Sequence, residues 1–335
     1  TGPASYTSLG SPSNLTAGGA IGTVRLNATG SISGAPGATL TGSSIVLAAD
    51  DWIGSILSDA TLQETEDLAI IDTAGGLTVG STLGLSAQRN LMISTTNGGN
   101  LIVEGAGAGG GPSGVGSMTL IAPNDLVLAG AINAVGDQIS LNAGGSISQT
   151  AAGALSTGTL SGGSVGATDL STANNQITNL GMFTANGFAL SDAAGLAVTG
   201  FVVGGAGDVS IRTLGGDLTM GSIGKVSGAE VIFSTDQDFI NTRGPDAISA
   251  SDRWLVYSAA PGTNTYGGLN SGNTAIWNAT LATRDPSTIS GSRYDFAYQP
   301  TLTFTTFDSS KTYGTALTSS PYGIGGLHPG IAGAF

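Results

Sequence analysis

One short phrase recurs along most of the chain: an apolar residue, a small polar one, a second apolar one, then a turn of Gly, Asn or Asp. Leu77-Thr-Val79, Met118-Thr-Leu120, Ile139-Ser-Leu141, Val209-Ser-Ile211 and Leu218-Thr-Met220 are copies of it. Phrases often come in pairs eight to ten residues apart, as Asn90-Leu91 then Asn100-Leu101, or Asp208-Val209 then Asp217-Leu218. Alternation of period two over three to five residues, closed by Gly-rich corners, predicts short strands in a solenoid. Three phrases make a coil of about 20–27 residues. The expected fold is all-β: a right-handed parallel β-helix of about ten coils, roughly 50 Å long at the ~4.8 Å strand spacing. A β-sandwich also has short strands at 8–12-residue spacing, but its turns hold more Pro and charge and its core more aromatic residues. The longest candidate for a helix is 58–66.

Composition fits the stacked rod. Glycine fills 56 of 335 positions, as corners in left-handed backbone conformations require. Charge is sparse, with 9 Lys+Arg and 22 Asp+Glu in the whole chain, and like charges stacked on successive coils would repel. With 40% hydrophobic residues, disorder throughout is excluded. The net charge of −13 argues against nucleic acid, which needs a basic stripe, and against anionic membrane surfaces. No run of 18 apolar residues spans a bilayer. The absence of cysteine removes disulfides, thiolate metal sites and cysteine nucleophiles together. The chain opens Thr1-Gly2-Pro3 without Met and reads as part of something longer.

The aromatic residues are segregated. Residues 1–180 hold only Tyr6 and Trp52, whereas twelve of the nineteen lie from Trp254 onward. This predicts a solenoid over 1–250, an aromatic-rich cap and linker over 251–300, and the start of a glycine-rich β module over 301–335. An open β-helix end exposes apolar core and unpaired strand edges. Trp254, Tyr257, Trp277, Tyr294 and Phe296 supply the area to cover it; a sugar-binding aromatic platform is the functional alternative.

Arg253-Trp-Leu-Val-Tyr-Ser258 and Tyr294-Asp-Phe-Ala-Tyr-Gln-Pro-Thr-Leu-Thr303 resemble the end of the β-helix in large exoproteins of the filamentous haemagglutinin family. Lys311-Thr-Tyr-Gly314 with Gly325-Gly-Leu-His-Pro-Gly330 resembles the opening of the glycine-rich modules that follow there. These motifs cover roughly 253–330. The resemblance implies a secreted bacterial cell-surface adhesin, exported by two-partner secretion through an outer-membrane partner. The family's Asn-Pro-Asn-Gly secretion signature does not occur, since the chain contains no Asn-Pro.

Catalytic motifs match only literally. Gly162-Gly-Ser-Val-Gly166 reads as G-x-S-x-G, but the single His328 is remote and no helix is expected after Ser164. Gly105-Ala-Gly-Ala-Gly-Gly110 reads as G-x-G-x-x-G, yet Gly111-Pro112 follows where a helix should open, so a flexible loop is expected. Gly204-Gly-Ala-Gly-Asp208 is a one-off, shortened version of a calcium-binding nonapeptide. A polysaccharide lyase or glycosidase would have to use acidic groups such as Asp236 and Asp238, on one side of a strand and near Arg243; Asp50-Asp51 and Glu64-Thr-Glu66-Asp67 are the other acidic groups. Solvated turn acids are the simpler account. The expectation is a non-enzymatic fibre or stalk without catalytic residues, metal or cofactor. It would meet a host or neighbouring-cell surface, with carbohydrate among the candidate receptors. Self-association into a filament or matrix layer is the alternative, and a carbohydrate-active enzyme the second.

Overall fold

The computed structural model describes residues 116–272 and 274–301 continuously. It also describes 14–16, 23–27, 39–49, 62–72, 76–79, 86–87, 90–96, 98–108, 303–306, 313 and 322–325. The chain is all-β: parallel strands wind into a solenoid of about nine turns. One coil shows the local logic. Ser117–Ala122 and Leu126–Leu128 form two sides, and the first part of Ile132–Ala143 forms the third. The chain then turns at Gly136 (φ 76°), and Ile139 lands in register on Met118. At ~4.8 Å per coil the stack is about 40 Å long.

Each apolar position of the phrase points inward onto its counterpart one coil on. Leu77, Leu101, Leu126, Ile147, Thr168, Phe188, Val209, Val231 and Trp254 form one ladder, each paired with the next. All nine are buried. The spacing of its members along the chain agrees with the coil length expected from the phrase. Thr168 is the one polar member, and its hydroxyl is 2.8 Å from that of Ser164.

The Asn or Asp ahead of many strands has a specific task. Asn100 Oδ1 accepts the Asp125 N–H (3.2 Å), and Asp125 Oδ1 accepts that of Ser146 (2.8 Å). Asp208 does the same for Glu230 (3.0 Å) and Asp217 for Asp238 (3.1 Å). A corner carboxylate or amide thus ties its coil to the next where the strand ladder is interrupted.

One inner corner is polar. Asn175, Asp192, Thr213 and Thr235 stack on successive coils, all buried. Asn175 accepts from Gln149 Nε2 (2.6 Å) and Leu155 N–H (2.9 Å) and donates to the carbonyls of Leu170 (2.8 Å) and Ser191 (2.9 Å). Asp192 accepts the N–H groups of Ile177 (2.7 Å) and Ala194 (2.9 Å), one on each oxygen. Buried polar groups persist when paired in this way.

Two local expectations are corrected. Within 58–66, residues 62–66 belong to the strand Leu62–Asp72, paired in parallel with Thr39–Ala49; 58–61 lie outside the described residues. Pairing across coils overrides the helical preference of the acidic stretch. Of the glycine run from Gly105, Ala106–Ala108 is a strand paired with Ile132–Ala134 rather than a loop.

The change of composition near residue 250 falls inside the strand Ile248–Ser258, which continues the ladder over Lys225–Thr235. The next two strands are stacked out of chain order. Arg293–Phe296 pairs with Ile248–Ser258 on one side and with the earlier Ala275–Trp277 on the other. It is therefore inserted between them. Beyond the solenoid, Thr303–Thr306 and Tyr322–Gly325 pair antiparallel.

Candidate binding cleft beside the aromatic end

After Ala275–Trp277 the chain turns at Asn278 (φ 53°) and folds back across the outer face of the last coils, through a short 3₁₀ turn, Pro286–Thr288. This clasp, 278–292, buries residues that strand alternation directs outward. Leu255, Tyr257 and Ile289 form a second apolar cluster, with Ile232, Ile276 and Leu281 packed against it. Arg253 anchors the clasp: its Nε meets Glu230 Oε1 at 2.5 Å and its Nη1 donates to the Ile289 carbonyl. The Tyr257 hydroxyl donates to the Arg284 carbonyl at 3.1 Å.

The five aromatic residues singled out in the sequence divide between the two faces. Trp254, Tyr294 and Phe296 are buried in the main core, with Trp277 half-buried against it. Ring centroids lie 5.0 Å apart for Trp254–Tyr294 and 5.2 Å for Trp277–Phe296. The Tyr294 hydroxyl donates to the Leu269 carbonyl (2.8 Å). Tyr257 lies one position out of phase, so it faces the clasp. Burial pushes both tyrosine hydroxyls well above their ordinary range.

Beneath the clasp, Asp295 is fully buried between Tyr257 and Ile276 in register, and neither carboxylate oxygen has a hydrogen-bond partner. Burial pushes its carboxyl up to about 7, against the opposing pull of Arg284 and Arg293. Asp192 is raised to about 6, also by burial, and the Ala194 and Ile177 N–H groups hold it lower.

At the margin of the clasp a cleft of about 240 Å³ opens between residues 279–282 and the outer sheet. Its floor is a column of outward side chains in register, Arg212, Ser234 and Tyr257. Asp236 lies beside it, and Thr280 and Leu281 form the wall. A shallower groove of about 430 Å³ crosses the middle coils and has no charged residue in its lining.

Asp236 and Asp238 are not on a strand: both lie in the turn between Lys225–Thr235 and Phe239–Asn241. Asp238 is engaged by the Thr263 hydroxyl, and Arg243, beyond the next strand, pairs with Asp246 at 2.9 Å. Among the described residues no ion pair joins Arg243 to Asp236 or Asp238, and its carboxylate partner is Asp246. Ser164 ends the strand Leu155–Ser164, where an elbow would need a helix to follow, and donates to the Gly166 carbonyl (2.7 Å). The first glycine of that motif has a packing role: a Cβ on Gly162 (φ 144°) would lie 1.9 Å from the Leu141 carbonyl oxygen. In the shortened nonapeptide, Asp208 is occupied by the Glu230 N–H. Among the described residues no three His, Asp or Glu side chains gather as a metal site. Likewise no described helix is long and apolar enough to cross a membrane. His328 and Asp50-Asp51 lie outside the described residues.

Arg212, Asp192 and Asp295 were not singled out by sequence reasoning. Period-two alternation indicates that Arg212 faces outward but not that the clasp, much later in the chain, walls a cleft beside it. The chain matches no protein-family model, no curated protein and no solved structure.

Proposed function

We propose that this chain is a stalk segment of a secreted, cell-surface adhesin: a stiff, non-enzymatic β-helical rod that mediates attachment or displays a binding module. The observation that carries the reading is the inward ladder from Leu77 to Trp254, continuous in one apolar core with Tyr294 and Phe296. Such a core makes a rod whose length is set by coil number. The aromatic residues at its far end serve as the cap, closing the core at the last described coils. The family resemblance of 253–330 adds the surface setting and the outer-membrane secretion partner. The test is adhesion of beads carrying the chain to host and bacterial cells. Attachment above that of beads carrying an unrelated β-solenoid is expected; equal attachment overturns the reading.

A filament or matrix layer is the second reading, favoured by Met182 and Phe201, 64% and 48% exposed and adjacent on neighbouring coils. Growth of species larger than monomer with concentration in sedimentation would support it. Product release from acidic polysaccharides, lost on Asp236→Ala, would instead favour an enzyme.

A further inference from the structure

We infer that the cleft between the clasp and the outer sheet binds a carboxylate-bearing sugar ring, a hexuronate unit of an acidic saccharide. A stalk needs no such site, so the inference goes beyond the proposed function and stands or falls separately from it.

The unused groups in the cleft specify the ligand. In a chain of net charge −13, Arg243 and Arg253 are both paired with carboxylates, Asp246 and Glu230. Arg212 is exposed in the cleft, and its guanidinium has no ion pair or hydrogen bond among the described residues. A guanidinium is built to take a carboxylate through two parallel N–H donors. The next residue of the column, Ser234, is only 6% exposed, and its hydroxyl, which no described residue engages, keeps access to the cleft. A hydroxyl placed this way can exchange its water for a polar atom of a ligand that enters the cleft. Asp236 is exposed on the adjoining turn, also unpaired, and offers two acceptor oxygens.

One cation, one hydroxyl and one carboxylate therefore converge on a ligand that is anionic at one point and rich in hydroxyl donors elsewhere. Inorganic phosphate or sulfate would also satisfy Arg212, but it lacks the ring hydroxyls that a sugar offers to Asp236. The remaining lining mixes apolar and hydroxyl side chains: Ala259, Ala297 and Leu281 offer surface to the C–H face of a ring, and Thr235, Ser258 and Thr280 lie among them. At about 240 Å³ the cleft is smaller than the ~300–1,000 Å³ sites of drug-sized ligands, and so suits one ring rather than several.

The test is calorimetric titration of the full chain with galacturonate, glucuronate and trigalacturonate, with methyl galactoside, inorganic phosphate and glutamate as comparators. Saturable uronate binding is expected, weakened by salt and at least tenfold tighter than methyl galactoside. Arg212→Gln should weaken it at least tenfold and Asp236→Asn severalfold, with circular dichroism unchanged. Lys225→Gln removes the same charge outside the cleft and should leave affinity as it is. The proposal is overturned if no uronate binds saturably at millimolar concentration. It is equally overturned if the neutral galactoside binds as well, if Arg212→Gln leaves affinity unchanged, or if phosphate or glutamate competes on equal terms.

Discussion

The middle coils and the last coils fill the same cross-section with different side chains. From Leu101 to Ile147 the ladder is aliphatic, and each residue has a counterpart above and below. From Phe233 onward it is crowded with rings: Phe239, Trp254, Tyr266 and Phe296 all surround Tyr294, with centroids 4.9–6.5 Å from it. A branched aliphatic side chain suffices where the next coil supplies the opposite wall. Where the neighbour in register is as small as Ala275, which pairs with Tyr294, one side chain must fill more of the cross-section, and aromatic rings do so with few rotatable bonds. The two regions also treat a buried carboxyl differently. Asp192 receives a backbone N–H on each oxygen, whereas Asp295 receives none.

The contrast can be broken most directly at Tyr294. Replacing it with Ala should cost about 3–5 kcal/mol in denaturant unfolding, with amide exchange accelerated first in 248–296. A cost below about 1 kcal/mol would mean that the rings are not what holds the end together.

Asp295 gives the next largest effect, with the opposite sign. Its folded-state carboxyl titrates at about 7. The folded chain thus keeps a proton that the unfolded chain has released near pH 4. Stability is full below the unfolded value and is lost as pH rises through about 7. Asp295→Leu should therefore stabilise the protein by roughly 2–4 kcal/mol at pH 8 and by much less at pH 4, measured as unfolding midpoint against pH. Asp192 is also raised, to about 6, yet Asp192→Leu should destabilise by about 1–3 kcal/mol at pH 7, because two buried N–H groups lose their acceptor. Equal signs for the two leucine variants would erase the distinction. The smallest effect belongs to the corners: Asp125→Ala removes one acceptor for Ser146 N–H and should cost about 1 kcal/mol, with faster exchange at that amide.

The repeat was legible because its signals are local. The Asn or Asp ahead of Leu101, Leu126, Val209 and Leu218 marks a corner, and alternation marks which residues face inward. The insertion of Arg293–Phe296 was not legible, since nothing in a strand's composition records which neighbours it separates. Asp295 was hidden for a related reason. Alternation places it outward, as it does Tyr257, and only the clasp turns that outward face into an interior. The acidic stretch at 62–66 misled because its helical preference is local and the pairing that overrides it comes from Thr39–Ala49. Of the cleft, Ser234 looked like any small outward residue; its place in a cleft depends on the far-downstream segment 279–282, which lines the same space.

The inserted strand bears on the order in which the molecule can be completed. A solenoid whose strands stack in chain order can add each coil as soon as that stretch of polypeptide is available. Here Ala275–Trp277 is made before the strand that separates it from Ile248–Ser258. A chain emerging amino end first, from a ribosome or a pore, must hold that position vacant until residue 296 has appeared. The pairing of Arg293–Phe296 with both neighbours therefore waits for that stretch of chain, whatever has stacked before it.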